Sequence, residues 1–197
     1  MKRCWLVFVC LAVGLGTAFA ELDAQPHSPW YLPQHIKVQF AGNVGVFSIA
    51  GSRFSQNKHW ESDFSYGYVP KSVAGVDIHT LALKGNYYPW SWRLNDKYRL
   101  YPGYVGVGLN YTFGAQYNTI FDKKYPKTYY QFLPLQIAPL LGIRLDHGKK
   151  LTSTAVSPGV YLEVATTHMY LIHYINNPDF LSVTDIFNVA LGVRIPF

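Results

Sequence analysis

The stretch Phe187-Asn188-Val189-Ala190-Leu191-Gly192-Val193-Arg194-Ile195-Pro196-Phe197 decides how the rest of the chain is read. Apolar side chains fall at 187, 189, 191, 193, 195 and 197, with Asn, Ala, Gly, Arg and Pro between them. Successive side chains of a strand point to opposite faces, so one face of this segment is hydrocarbon and the other is not. An amphipathic strand closing on an aromatic residue is the ending of a membrane-spanning β-barrel, whose outer wall meets lipid. Such a strand, with Phe197 at its end, is also what a barrel-assembly machinery is expected to receive.

The same alternation recurs upstream. Ile36, Val38, Phe40, Val44 and Val46 oppose Lys37, Gln39, Ala41 and Asn43, and Trp60, Phe64, Tyr66 and Tyr68 oppose Glu61, Asp63, Ser65 and Gly67. Residues 76–88 carry Leu81, Leu83 and Tyr87 on one face. Val105, Val107, Leu109, Tyr111 and Phe113 then oppose Gly106, Gly108, Asn110 and Thr112. Residues 133–145, 159–164, 168–175 and 186–197 complete eight candidate strands, with no helical period of 3.6 competing. The expected fold is all-β, an eight-stranded antiparallel transmembrane β-barrel over 36–197 with its apolar face outward. A soluble sandwich would carry more charge than the 14% found here. Two arrangements satisfy the pattern. With 36–50 as one strand, the long segment 114–130 falls on the periplasmic side. With 36–54 as a tight hairpin and 158–174 as one strand, that segment becomes an extracellular loop.

The beginning of the chain agrees with an envelope destination. Lys2-Arg3, the apolar run Cys4–Leu15 and the small residues of Ala18-Phe19-Ala20 predict a signal peptide, residues 1–20, cleaved after Ala20. Residues 21–35 hold three prolines and read as a periplasmic lead-in. Cys4 and Cys10 leave with the signal, which excludes a disulfide scaffold, thiol catalysis and cysteine metal sites. Lys2 and Arg3 leave too, so fifteen basic and eleven acidic side chains remain, a net charge of +4. That excess suits lipid phosphates and is too scattered for nucleic acid, so no nucleic-acid partner is expected. Sixteen tyrosines fit a chain that places rings in lipid and hydroxyls among headgroups. The expected location is the outer membrane of a Gram-negative-type cell, with outer-membrane lipids as partners.

Few side chains suggest chemistry. Glu61 and Asp63 share a strand face. Paired carboxylates serve acid–base catalysis in some sites, but here they read as part of a buried polar network with Lys37, Arg144 and Glu163, inward by parity. The seven histidines have no metal-ligand spacing, and no metal or other cofactor is expected. Lys123, Lys124 and Lys127, interleaved with Tyr125, Tyr129 and Tyr130, form a basic aromatic cluster: either a grip on lipid phosphates or a solvated loop.

Near the end, Leu171-Ile172-His173-Tyr174-Ile175-Asn176 and Arg194-Ile195-Pro196-Phe197 together resemble the lipid A 3-O-deacylases, eight-stranded outer-membrane enzymes. Ile78-His79-Thr80-Leu81-Ala82-Leu83 and Pro102-Gly103-Tyr104-Val105-Gly106-Val107-Gly108 are similar in kind. The resemblance implies a His-x-Ser-Asn motif on the penultimate strand and a carboxylate on the last. His173 then matches the base and Asn176 the motif's Asn, but Ile175 occupies the position of the nucleophile. Phe187 occupies that of the carboxylate, with Asp185 two residues earlier as a substitute. Acyl transfer needs a hydroxyl activated by its base, and Ile175 has none. The resemblance therefore implies a non-catalytic relative that stabilises the membrane or binds lipopolysaccharide or another ligand. The alternative is an active deacylase with a relocated nucleophile, for which Ser182 and Thr184 are the nearby hydroxyls.

Overall fold

A computed structural model describes residues 31–114, 135–148, 157–176 and 182–196. Phe197, the predicted signal peptide and the lysine cluster at 123–127 lie outside the described residues. The strands are β1 (His35–Ala41), β2 (Phe47–Phe54), β3 (Trp60–Val69), β4 (Ile78–Tyr87), the two-residue β5 (Trp92–Arg93), β6 (Tyr98–Gly114), β7 (Leu135–His147), β8 (Gly159–Ala165) and β9 (Asn188–Pro196). Among the described residues three short helices punctuate them: α1 (Lys71–Ala74), α2 (His168–Asn176) and α3 (Val183–Ile186). Every strand pairs antiparallel with its neighbour. β4 pairs with β6 and β9 with β1, so eight strands close into a barrel and β5 is a flap on the edge of β6.

The register fixes the barrel's geometry. From Leu145 on β7, partners run through Val160, Val193, Val38, Ile49, Tyr66, Leu81 and Tyr111 and return to β7 at Leu135. The circuit closes ten residues from where it began, which is the shear of the cylinder. Eight strands with that shear, ~3.3 Å per residue and ~4.8 Å between strands tilt by about 40°, inside the usual range for closed barrels. All nine residues of the circuit are apolar or Tyr, and all lie on the outer face.

The sidedness follows the alternation. Leu83 is 57% exposed, while Glu61, which faces the lumen, is 0% exposed. Hydrocarbon covers the outside, and charged, amide and hydroxyl groups fill the inside. Closure pairs each of the eight barrel strands on both sides, and an apolar exterior of this extent requires lipid as its solvent. Among the described residues no helix is long and apolar enough to cross a membrane; the strands do so.

Both described ends of the barrel, His35 and Pro196, lie at one rim and pair with each other. The connections at the opposite rim include the two longest, 115–134 and 166–187. Short turns mark the periplasmic side of such barrels and long loops the extracellular side, so the rim bearing His35 and Pro196 is periplasmic.

At one point the structure selects between the two arrangements, and at another it departs from both. Residues 36–54 form the tight hairpin of the second arrangement, not the single strand 36–50 of the first, and Val44 is buried at its turn instead of facing outward. Gly42 there adopts a φ of 94°, and Ala41 also has positive φ. Residues 168–175 are helical rather than a strand, and the strand expected over 158–174 ends at Ala165. Alternation cannot distinguish the two over so short a run. Beyond Ala165 the chain has no register partner on β9, which begins at Asn188, so the helix satisfies its backbone locally. The number of membrane strands is unchanged, and 115–134 joins β6 to β7 at the extracellular rim.

Candidate functional site

The lumen is the first place to look for chemistry, because it gathers most of the buried ionisable groups. Its lower tier is centred on Glu61, whose Oε2 lies 2.9 Å from Lys37 Nζ and 3.5 Å from Arg144 Nη1, with its other oxygen 3.6 Å from Arg194 Nη2. The Tyr88 hydroxyl donates to Oε2 at 2.5 Å. Asp146 faces Arg144 at 3.0 Å and Arg194 at 3.4 Å. Arg194 Nη2 donates to His35 Nε2 at 2.5 Å, so His35 accepts there and carries its proton on the other nitrogen. The Arg144 guanidinium stacks on Tyr101 and Tyr88, 3.8 and 4.3 Å from the ring centres.

Lys37 joins this tier to the one above. Its ammonium also donates to both oxygens of Asp63, at 2.9 and 2.8 Å, and Asn86 donates to Asp63 at 2.9 Å. Lys84 meets Glu163 at 2.5 Å. Tyr161 donates to Gln39 at 3.2 Å. Lys37, Lys84, Arg144 and Arg194 thus face Glu61, Asp63, Asp146 and Glu163, four buried cations against four buried anions. Burying any one alone would be prohibitive, and the balance makes the set tolerable. The network predicted around Glu61 and Asp63 is present, with Lys84, Asp146 and Arg194 as further members.

Two glycines make room for this filling. Tyr104 pairs across strands with Gly142, and Tyr161 with Gly192. A Cβ at either glycine would fall inside the ring opposite. Between the tiers a cavity of about 10 Å³, room for about one water, is lined by Lys37, Asp63, Lys84, Glu163 and their neighbours. A lumen so plugged and electrically balanced holds itself together, and this cavity is too small for a substrate.

The residues singled out by the sequence lie elsewhere, in the extracellular connection between β8 and β9. α2 leaves the barrel where β8 stops pairing with β7. Thr166 N donates to Pro139 O at 3.1 Å, and Ile137 N donates to His168 Nδ1 at 3.1 Å, continuing along the edge of β7. Met169 anchors α2 as its buried residue. His173 and Asn176 are exposed, and Ile175 is 73% exposed. Asp185 is on α3, which packs against α2. Its carboxylate accepts from Ser182 N at 2.9 Å, while the Ser182 side chain caps the third residue of the helix in return, a complete capping box. The Ser182 and Thr184 hydroxyls bond each other at 3.0 Å. His173, Asn176 and Asp185 are thus brought to one loop at one rim.

A second outward cluster at this rim was not foreseen as a site. His79 Nδ1 lies 2.6 Å from the Tyr66 hydroxyl, and its ring stacks on Phe113 at 5.6 Å and leans on Tyr68 at 5.2 Å. Tyr68 donates to Asp77 at 2.6 Å, and Lys71 N donates to the same carboxylate at 2.9 Å. The Tyr68 hydroxyl first, then this backbone N–H, holds Asp77 below the usual carboxylate range. Tyr66, Tyr68 and Phe113 were legible as outward residues; the clustering needed the register of β3, β4 and β6. Among the described residues no group of three His, Cys, Asp or Glu side chains gathers to hold a metal ion.

These features define a class: an outer-membrane-type β-barrel with an ion-paired, closed lumen and its exposed polar chemistry at the extracellular rim. Among solved structures, the chain is similar to the outer membrane enzyme PagL, with 15% identity and a TM-score of 0.43 over 83% of this chain and 98% of that one. It is also similar to Neisserial surface protein A (NspA), with 8% identity and a TM-score of 0.42 over 83% and 96% of the two chains. At such identities the likeness concerns fold alone. No protein-family model matches the chain, and no curated protein does.

Proposed function

We propose that this outer-membrane barrel is a non-catalytic relative of the lipid A deacylases that binds lipopolysaccharide at its extracellular rim. The observation that carries the reading is the state of the residues that would do acyl transfer. The nucleophile position is Ile175, exposed on a helix, and the Asp185 carboxylate is engaged in capping α3. A triad needs a hydroxyl, a base and an orienting carboxylate in one chain of hydrogen bonds, and neither end member is available in that form. The plugged lumen argues against transport, which leaves the rim as the working surface. His173 and Asn176 are exposed there, and β6 and β7, which flank Lys123, Lys124 and Lys127 in sequence, end at the same rim. Lysines in the sequence between those two strands suit the phosphates of lipid A.

Lipid A mass spectra from cells with and without the protein test this. The expected spectra are identical, and purified protein retains lipopolysaccharide that a Lys123→Gln/Lys124→Gln/Lys127→Gln variant releases at lower salt. Loss of one hydroxyacyl chain in the presence of the wild type, abolished by His173→Ala, overturns the non-catalytic reading and establishes a deacylase with a relocated nucleophile.

A further inference from the structure

The periplasmic rim carries a structure that neither the plugged lumen nor the extracellular cluster uses. β6 and β4 part company after the Val105–Tyr87 pair. Below it, the edge of β6 is covered by β5 through Trp92–Leu100 and Arg93–Arg99. The result is a flap spanning residues 88–101. Among the described strands β5 pairs with β6 alone, so its other edge is open.

The outer face of the flap is strongly apolar. Trp90, Trp92 and Leu94 are 63%, 58% and 57% exposed. The face is also continuous with the lipid-facing wall. Trp92 pairs with Leu100, Leu100 with Leu145, and Leu145 with Val160, so the apolar circuit around the barrel extends onto the flap at Trp92. What solvates Val160 and Leu145 therefore extends toward Trp92, and indole rings at the end of such a wall sit at headgroup depth.

The charge here has one dominant sign. Arg93, Lys97 and Arg99 belong to the flap, and Lys58 comes from the turn between β2 and β3. That turn is tied to the flap: Tyr88 N donates to His59 O at 2.8 Å, and His59 Nδ1 donates to Tyr88 O at 2.8 Å. Asp96 is bonded to Arg93 at 2.6 Å. Partial burial, and then the nearby Arg99 charge, lower the pKa of Lys58. A surplus of basic side chains on one surface attracts anions.

We propose that the flap, with Lys58 beside it, is a docking surface for anionic phospholipid of the periplasmic leaflet. Trp90, Trp92 and Leu94 seat in the boundary between acyl chains and headgroups, and Lys58, Arg93 and Lys97 hold the lipid phosphates at the open edge of β5. The surface is at the opposite rim from the proposed lipopolysaccharide site, so each reading stands or falls without the other.

The test uses the full chain reconstituted in phosphatidylcholine bilayers doped with spin-labelled phosphatidylglycerol or spin-labelled phosphatidylcholine. The wild type should select the anionic lipid by at least about threefold at low salt, each basic residue near the surface adding attraction. The Lys58→Gln/Arg93→Gln/Lys97→Gln variant should lose most of that selection. Headgroup-labelled quenchers should dim the fluorescence that disappears in Trp90→Phe/Trp92→Phe. Equal association of the two lipids with the wild type overturns the proposal. So does undiminished selection by the triple variant, or fluorescence from Trp90 and Trp92 that headgroup quenchers leave untouched.

Discussion

The lumen and the β8–β9 connection hold similar side chains and put them to opposite uses. In the lumen, Glu61 meets Lys37, Arg144, Arg194 and Tyr88, and every one of these side chains is buried. In the connection, His173 and Asp185 stand on short exposed helices, and Asp185 bonds its own helix start. Perturbed charge clusters are often taken as marks of catalysis. Here the most elaborate cluster is the filling of a narrow cylinder, and the residues the sequence singled out near its end stand exposed outside it. Exposure, not the density of ionisable groups, separates the two regions.

The strongest way to break this comparison is to remove one cation from the lumen. Arg144→Met leaves Glu61 and Asp146 under-compensated, and should destabilise the barrel by about 3–5 kcal/mol. Urea unfolding of the reconstituted protein measures it. A wild-type-like midpoint would mean that the lumen is not held by its charges.

A smaller effect is expected at the glycines. Gly142→Ala and Gly192→Ala drive a methyl into the Tyr104 and Tyr161 rings, and overpacking of this kind costs about 1–3 kcal/mol. Pairing Gly142→Ala with Tyr104→Phe, which keeps the ring, should give no relief; pairing it with Tyr104→Leu should restore part of the loss in the same assay.

In the connection the expected changes are local. Asp185→Ala removes half of the capping box, worth about 0.5–2 kcal/mol to α3, without moving the global transition. Hydrogen exchange at residues 183–187 should quicken while the β9 amides stay protected. Matching acceleration in both would show that loop and barrel open together.

The mildest perturbation is acid at the extracellular rim. Asp77 has a depressed pKa because its charged form accepts from Tyr68 and from Lys71 N. Its contribution is therefore complete above the ordinary carboxylate pKa of about 4 and is lost as pH falls through the lower, folded value. Amide exchange at Lys71 should accelerate only at the acid end of that range, and Asp77→Asn should remove the pH dependence.

Much of the fold was legible because a barrel wall in lipid obeys a period of two over long runs, with the buried Leu140 on the inner face of β7 as an exception. Val105 to Phe113 and Leu135 to Leu145 could be assigned to faces residue by residue, and Glu61, Asp63, Arg144 and Glu163 to the lumen by parity alone. What the alternation left open or missed falls where the period is short or interrupted. In 36–54 a turn through Gly42 and Val44 lies within one continuous apolar rhythm, and in 168–175 His, Met, Tyr, Leu and Ile suit either a strand or a helix. The candidate site was legible only as residue identities, because His173 and Asp185 are separated by a connection whose course no alternation describes.

By itself, then, the amino-acid order determined which side chains meet lipid and which face inward, since that depends only on the two-residue repeat of an extended backbone. Tertiary structure alone decided the ten-residue shear, the pairing of Lys84 with Glu163 and of Arg194 with Asp146, and the capping role of Asp185. Those depend on how far each strand slides against the next before the cylinder closes, and a slide leaves no trace in the sequence of any one strand.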